Sequence, residues 1–542
     1  MKNFGSFDYI IIGSGSAGAV VANRLSENPQ NKVLLLEAGG SDNNIWLHIP
    51  IGYYKTMFNS DLSWNFHTEP DPGLNNRSLN WPRGKVLGGS SSINGLLYVR
   101  GQQSDFNHWQ QLGNLGWGWD DVLPFFKAAE NQERGADSFH GTGGPISVSD
   151  IRLKHELCDA FIKGGQEIGI PFNPDFNGPN QEGIGYFQLT TQNGRRSSTA
   201  VGYLDPIKSR KNLKITTNAL VTRISLGNEK RAEGVEFHKN GVLNYAGCRG
   251  EVILSAGAIG SPQLLNLSGV GDPTELKDKS ISVKHALSGV GKNLQDHVQA
   301  RMLYRCKKPI TLNDQIRNPL KKIKMALEFI FKRSGPLTVG AGQVGAFVKA
   351  LPNSEWPDTQ FHFMPFSADK PGQGLHPYSG FTSTVCQLRP ESRGQIKLKT
   401  PLPADAPAIY PNYFSSDLDC KVIISALRLG KNIAQTGAMI PYIDEALAPT
   451  DDIKDDEDLL EYARNNGTTL FHPVGTCKMG PKDDKNAVVD NQLRVFGIRG
   501  LRVIDASIMP TLLSGNTNAG TIMIGELGAS LVKRETTAYK NL

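Results

Sequence analysis

Gly13-Ser-Gly15-Ser-Ala-Gly18, followed at a distance by Glu37, is the first group of residues whose types and spacing imply chemistry. Gly13 permits a tight turn, Gly15 lets backbone approach a pyrophosphate, and Gly18 lets a helix pack on the preceding strand. The start of that helix offers unpaired N–H groups and positive partial charge to phosphate. Glu37 can accept hydrogen bonds from ribose hydroxyls. The pattern binds a dinucleotide and does not choose between NAD and FAD. His472, taken alone, reads as an ordinary structural histidine.

The elements needed to hold these residues are legible around them. Phe7–Ile12 is a mostly apolar strand, Ala19–Leu25 an amphipathic helix, and Val33–Leu36 a second strand ending at Glu37. Strands and helices alternate at both ends of the chain, which predicts an α/β architecture, α+β overall, with a Rossmann-like lobe. The stretch from about 360 to 398 differs. Phe361–Phe363 and Phe381–Leu388 read as strands of an antiparallel sheet in a second lobe, covered by helices. Glycines cluster at 13–18, 84–95, 255–260, 289–291 and 515–520, where backbone can approach a ligand closely.

Composition narrows the class further. The 542 residues suffice for several cores, and the formal charge of +6 is small and dispersed, which argues against nucleic acid binding. The six cysteines, at 158, 248, 306, 386, 420 and 477, show no metal-ligand or disulfide spacing. No metal is expected. No secretory signal or membrane span is read, so a cytoplasmic location is expected.

Longer motifs decide the cofactor. Asn80-Trp-Pro-Arg-Gly-Lys-Val-Leu-Gly-Gly-Ser-Ser-Ser-Ile-Asn-Gly95, the run from Ser255 to Gly271, Gly289 to His297, Phe471-His472-Pro-Val-Gly, and Val503 to Pro510 followed by Gly515-Asn-Thr-Asn518 occur in that order. Together they resemble the signatures of the glucose–methanol–choline (GMC) oxidoreductase family. They point to its bacterial branch, which holds choline dehydrogenase and acceptor-linked alcohol dehydrogenases.

The resemblance implies FAD, held by a lobe assembled from separate pieces of chain. The expected pieces are 1–155, 201–310 and 466–542, with the substrate lobe in 156–200 and 311–465. It places Gly13, Gly15, Ser16 and Ala17 at the pyrophosphate, and Glu37, Ala38 and Val221 near the adenosine. Val86, Gly89, Asn94, Gly95 and Leu96 are expected along the flavin and its tether. Ala256 and Gly257 match the loop after a core strand. Asp505, Ala506, Thr517 and Asn518 match the ribityl chain and pyrimidine ring. Some relatives attach the flavin through a histidine where this chain has Ile93, so non-covalent FAD is expected. Phe471 is read as packing on flavin or substrate, and Trp64 as walling the substrate and cofactor cavity or packing in the core, with Leu470 a weaker candidate.

Within this motif His472 matches the family's catalytic base and Asn516 its partner. Oxidising an alcohol to an aldehyde removes a hydroxyl proton and a carbon hydride, and an imidazole suits the proton. His297 is read as structural or flavin-supporting. A helix over Ala519–Val532, N-capped by Asn518, is expected to point its positive end at the flavin pyrimidine.

The implied partners are a small alcohol, weighted toward a medium-chain or aromatic primary one, and an electron acceptor. A quinone or other carrier is favoured over oxygen. Choline dehydrogenation and oxygen-using alcohol oxidation stay open within the family. So does a hydroxynitrile-lyase reaction with redox-silent FAD. A light-driven decarboxylase is disfavoured, because members of that kind lack the histidine. Leu320, Ile323, Leu327, Ile330 and Phe331 fall at helical spacing among Lys321, Lys322, Lys324, Lys332 and Arg333. The expected arrangement is a helix packed across the substrate lobe with its basic face in water. The alternative is peripheral attachment to the inner membrane.

Overall fold

Two seven-stranded sheets organise the chain. The computed structural model describes residues 1–540 with the exception of 371. The first sheet runs Leu213–Thr216, Val33–Leu36, Lys2–Ile12, Val242–Leu254, Ala232–Lys239 and Ala219–Leu226, with Leu501–Val503 paired to Val242–Leu254. Lys2–Ile12 pairs in parallel with Val33–Leu36 and with Val242–Leu254, which also takes Leu501–Val503 in parallel. Ala232–Lys239 and Ala219–Leu226 add an antiparallel flank.

The parallel strands are apolar almost without interruption because both faces are covered. Ile10, Ile11, Val33, Leu34, Leu35, Val252, Ile253 and Leu254 are fully buried. Each such side chain contributes about 1.5–3 kcal/mol on leaving water. Helix α1 (Gly18–Leu25) covers one face and packs on the C-terminal helix. The carboxyl ends Ile12, Leu36, Leu254 and Val503 lie along one edge, where sheets of this type bind ligands.

The second sheet runs Ile443–Ala448, Val298–Cys306, Gly380–Gln387, Thr359–Met364, Val344–Val348 and Gly183–Tyr186, with Thr468–Thr469 on Val298–Cys306. Every pairing in it is antiparallel. The two-residue alternation of a strand divides its faces. Phe361 and Phe363 face the helix Glu156–Glu167, where Phe363 stacks on Phe161 at 4.5 Å. His362 and Met364 face the cavity between the sheets.

Several expectations shift. Val298–Cys306 belongs to the second sheet, so the boundary expected at 310 falls before 298. Thr468–Thr469 likewise extends that sheet past 465. After α2 (Gly257–Leu267) and α3 (Pro319–Lys332), the last helix, α4, begins at Thr517 and runs to Lys540. It starts two residues earlier than expected, which puts Asn518 inside its first turn and not at its N-cap.

Candidate active site

One cavity of about 450 Å³ joins the carboxyl edge of the first sheet to the inner face of the second. At the nucleotide end the glycine turn is built by close approach. A Cβ on Gly13, whose φ is +94°, would stand 2.4 Å from the Ser255 carbonyl oxygen, and one on Gly18 would stand 1.9 Å from the Gly13 carbonyl oxygen. A Cβ on Gly15 would meet nothing nearer than Gly89 Cα at 3.9 Å, so Gly15 leaves open space on the cavity side. Helix α1 has no side-chain cap and no acid in its first turn. Its orphan N–H groups suit a phosphate.

Glu37 is buried beneath this turn. One carboxylate oxygen accepts the Ser14 N–H at 3.0 Å and Ser14 Oγ–H at 2.7 Å, and the other accepts the Gly39 N–H at 2.8 Å. Burial still raises its pKa. Ser16 Oγ donates to Asn518 Oδ1 at 2.8 Å and so ties the start of α1 to the start of α4. Asp505 accepts from Gly257 N and Ser261 Oγ on one oxygen and from Ser507 N and Oγ on the other. Its first job is to pin the loops at Ala256 and Ala506.

The middle of the cavity is shaped by Asn94-Gly95-Leu96. Leu96 has φ +73°. Buried Arg196 holds this turn, donating to Asn94 Oδ1 at 2.6 Å and to the Asn94 carbonyl at 2.7 Å. Nothing in the spacing of Arg196 marked it in the sequence.

His472 stands at the junction of the two sheets. Its N–H donates to Asp296 Oδ1 at 2.7 Å. Phe471 before it has φ +67°, a costly conformation for a bulky residue. The turn is clamped there by Thr469 Oγ, which accepts the Phe471 N–H, and by Arg83, which donates to the Phe471 carbonyl at 2.7 Å. Asp296 also accepts from Thr469 Oγ at 2.6 Å and from the Tyr413 hydroxyl. Burial pushes its carboxyl up to about 6.

The hydrogen-bond network assigns the imidazole tautomer. His297 Nε2 lies 3.0 Å from the Leu388 carbonyl, which can only accept, so Nε2 carries the proton. Burial holds His297 down to about 4, which leaves its Nδ1 as an acceptor. His472 Nδ1 lies 2.9 Å from that atom and therefore donates. His472 Nε2 is left with its lone pair, 3.2 Å from Asn516 Nδ2. Gln360 Nε2 donates to Asn516 Oδ1 at 3.2 Å and fixes the amide with its NH₂ toward His472. Burial, reinforced by His297, His362 and Arg83, holds His472 well below the usual histidine range. The His472 imidazole is therefore neutral and oriented, its Nε2 lone pair turned to the Asn516 amide.

Beyond this pair the cavity ends in Tyr53, Tyr54, Met57, Phe66, Met364 and Phe366. Trp64 stacks on Phe66 with ring centroids 5.8 Å apart. Arg301 is buried in the same wall; one guanidinium nitrogen donates to the Ala368 carbonyl and its Nε has no partner.

The expected residues Gly13, Gly15, Ser16, Ala17, Glu37, Ala38, Trp64, Gly89, Asn94, Gly95, Leu96, Val221, Ala256, Gly257, Phe471, His472, Asp505, Ala506, Asn516, Thr517 and Asn518 all line this cavity, as does Leu470. Val86 does not. It packs with Leu47 and Leu62 against Ile93, which does line the cavity, and its contribution is the backbone bridge to Gly40. His297, read as structural or flavin-supporting, hydrogen-bonds to His472. Its place beside an acid in the segment ending at 297 was visible, but its contact with a residue 175 positions away was not.

A dinucleotide cradle opening onto a neutral, oriented imidazole defines a flavin- or nicotinamide-type oxidoreductase site. Comparison with known proteins decides between them. Residues 7–299 and 390–525 match the two GMC oxidoreductase family models. The chain is 41% identical over 532 residues to an acceptor-linked alcohol dehydrogenase of Pseudomonas putida, covering 98% of this chain and 96% of that one. It is 40% identical over 534 residues to the mitochondrial choline dehydrogenase of Mus musculus, covering 97% and 89%. Pyridoxine 4-oxidase from Mesorbium loti superposes with a TM-score of 0.88 at 29% identity, covering 97% of this chain and 99% of that one. The chain belongs to the GMC oxidoreductase family. It is a flavoenzyme acting on CH–OH donors, and its cofactor is FAD.

Proposed function

We propose that the enzyme oxidises a primary, uncharged alcohol to the aldehyde with His472 as base and Asn516 as the group that holds the substrate oxygen. The observation that carries this is the lone pair of His472 Nε2 beside the Asn516 amide, at the end of a chain of fixed tautomers. When bound, FAD supplies the hydride acceptor. His472 Nε2 takes the hydroxyl proton, and the Asn516 NH₂ stabilises the developing alkoxide. Gln360 and His297 hold those two groups in place.

The cradle at Gly13, Gly15 and α1 fits the pyrophosphate, and Glu37 and Val221 fit the adenosine. Asn94, Gly95, Ala256, Asp505 and Thr517 fit the flavin and its tether. Ile93 lines the wall and has no atom able to bond a flavin carbon, so the cofactor is held non-covalently.

Arg301 bears on the substrate. It is a buried cation in the apolar end of the cavity. The acids that line the cavity, Glu37, Asp405 and Asp505, lie elsewhere: Glu37 under the glycine turn, Asp505 at the Gly257 loop, and Asp405 beside Gln263 of α2. A quaternary ammonium would enter beside a like charge. This favours a neutral alcohol over choline. The name of the Pseudomonas relative supports a carrier other than oxygen as acceptor, such as a quinone, and a quinone acceptor goes with a cytoplasmic enzyme peripheral to the inner membrane. The test is an anaerobic panel of alcohols with a redox dye, run beside oxygen consumption. Flavin bleaching and dye reduction by primary alcohols, without matching oxygen uptake, are expected. No bleaching by any alcohol would instead favour a lyase with redox-silent FAD.

A further inference from the structure

Helix α3 presents two apolar faces, and among the described residues only one of them has a partner inside the protein. At 100° per residue, Met325 and Phe329 project to one side. Both are buried and anchor the helix. Leu320, Ile323, Leu327, Ile330 and Phe331 project to the opposite side and are exposed, Leu320 at 77% and Phe331 at 79%. The basic residues were expected to meet water while the apolar stripe packed inward; the stripe itself is outside.

Lys324 borders that stripe, and Lys321, Lys322 and Lys332 lie on the margins of the helix nearer Met325 and Phe329. Lys321, Lys322, Lys324 and Lys332 are exposed, and among the described residues none is in an ion pair. The one acid of the helix, Glu328, is turned to Ser334 Oγ. An exposed apolar arc, on a helix whose exposed lysines have no counter-charge among the described residues, complements an anionic phospholipid surface in hydrophobicity and in net charge. A protein partner of ordinary polarity would leave the lysines without counter-charge. The helix is also joined to the catalytic cavity. Leu312 and Val339, in the segments just before and after α3, pack with Met364 and Phe366 of its apolar end, and Tyr54 packs against them.

We propose that the outer face of α3 is the element that docks this enzyme on an anionic bilayer, with its apolar residues in the acyl boundary and its lysines at the headgroups. Docking there holds the apolar end of the cavity close to the lipid, where a lipid-soluble acceptor or alcohol is concentrated. This rests on the membrane-side location proposed above and names the surface responsible for it.

The experiment is flotation of the FAD-loaded enzyme with vesicles of phosphatidylglycerol and phosphatidylcholine, and with phosphatidylcholine alone. At least tenfold more protein is expected to float with the anionic vesicles, and raised salt should reduce that fraction. Two variants report on the face: Leu320→Ser/Phe331→Ser, and Lys321→Gln/Lys322→Gln/Lys324→Gln. Each should lose at least tenfold in flotation while keeping its flavin and its alcohol oxidation with a soluble dye. If the serine pair folds poorly, the lysine triple, wholly on the surface, still decides. The proposal is overturned if the wild type stays at the bottom, or if both variants float as well as it does. It is equally overturned if sedimentation without lipid shows a dimer that the variants dissociate, since the face would then belong to a second copy. Dye-linked turnover reads the chemistry separately, so loss of flotation and failure of alcohol oxidation are distinguishable.

Discussion

His297 and His472 share one proton between their Nδ1 atoms at 2.9 Å, and the Leu388 carbonyl behind His297 decides which ring owns it. Replacing His297 with alanine removes the acceptor and frees the His472 ring to change tautomer. The expected result is a loss of roughly tenfold to a hundredfold in the rate of flavin reduction by alcohol, with bound FAD retained. Rapid-mixing absorbance of the flavin measures it. A rate equal to the wild type would show that His472 needs no orienting partner.

His472→Ala removes the base itself. A general base typically contributes a factor of about 10² to 10⁴, and a loss in that range is expected without loss of flavin. The two variants together separate the group that moves the proton from the one that positions it.

The acid limb of the pH profile follows from the burial of His472. Its pKa is held well below the ordinary value of 6.5. The base form exists above that lowered pKa, so kcat/KM for alcohol should stay level as pH falls through 6.5 and drop only at more acid pH. A fall centred near 6.5 would mean that the imidazole is solvated during turnover.

Gly15 and Gly13 make opposite predictions from one turn. An alanine at Gly15 meets only Gly89 Cα, at an ordinary contact distance of 3.9 Å, but projects where a pyrophosphate must approach. The Gly15→Ala protein should fold with an unchanged apo melting curve and bind FAD at least tenfold more weakly. Gly13→Ala drives its methyl into the Ser255 carbonyl at a backbone angle alanine resists, and should lower folded yield itself. Flavin titration beside thermal melting distinguishes the two.

An acid at Thr517 probes the positive end of α4. Helix α4 has no acid in its first turn. Thr517→Asp should lower the two-electron flavin potential by roughly 20–40 mV, the equivalent of one to two kcal/mol of dipole interaction. Spectroelectrochemistry reads it, and an unmoved potential removes the helix from the account.

The local parts of this site could be read directly, and its convergence could not. Strand, glycine turn, helix and acid within residues 7–37 carry their own geometry, because each glycine answers to a neighbour a few positions away or to one adjacent strand. His472 and Asn516 were identified by motif. What they touch was hidden, because Gln360 and His297 reach them only through the folding of a second sheet around the first. Arg196 and Arg301 gave no signal, since a single arginine on a strand looks the same whether it meets water or a cavity. Helix α3 was misjudged for a physical reason. Its stripe of five apolar residues looked like a core face, and only the placement of Met325 and Phe329 shows which side the protein keeps.

The hydrogen bond from Ser16 to Asn518 spans 502 positions of chain. Its consequence lies in biosynthesis. Ser16 therefore leaves the ribosome 502 positions ahead of its partner. A nascent chain can hold a half-made nucleotide pocket throughout synthesis of the stretch between them. Closure of the pocket is thus a late event of synthesis, set by the emergence of Asn518.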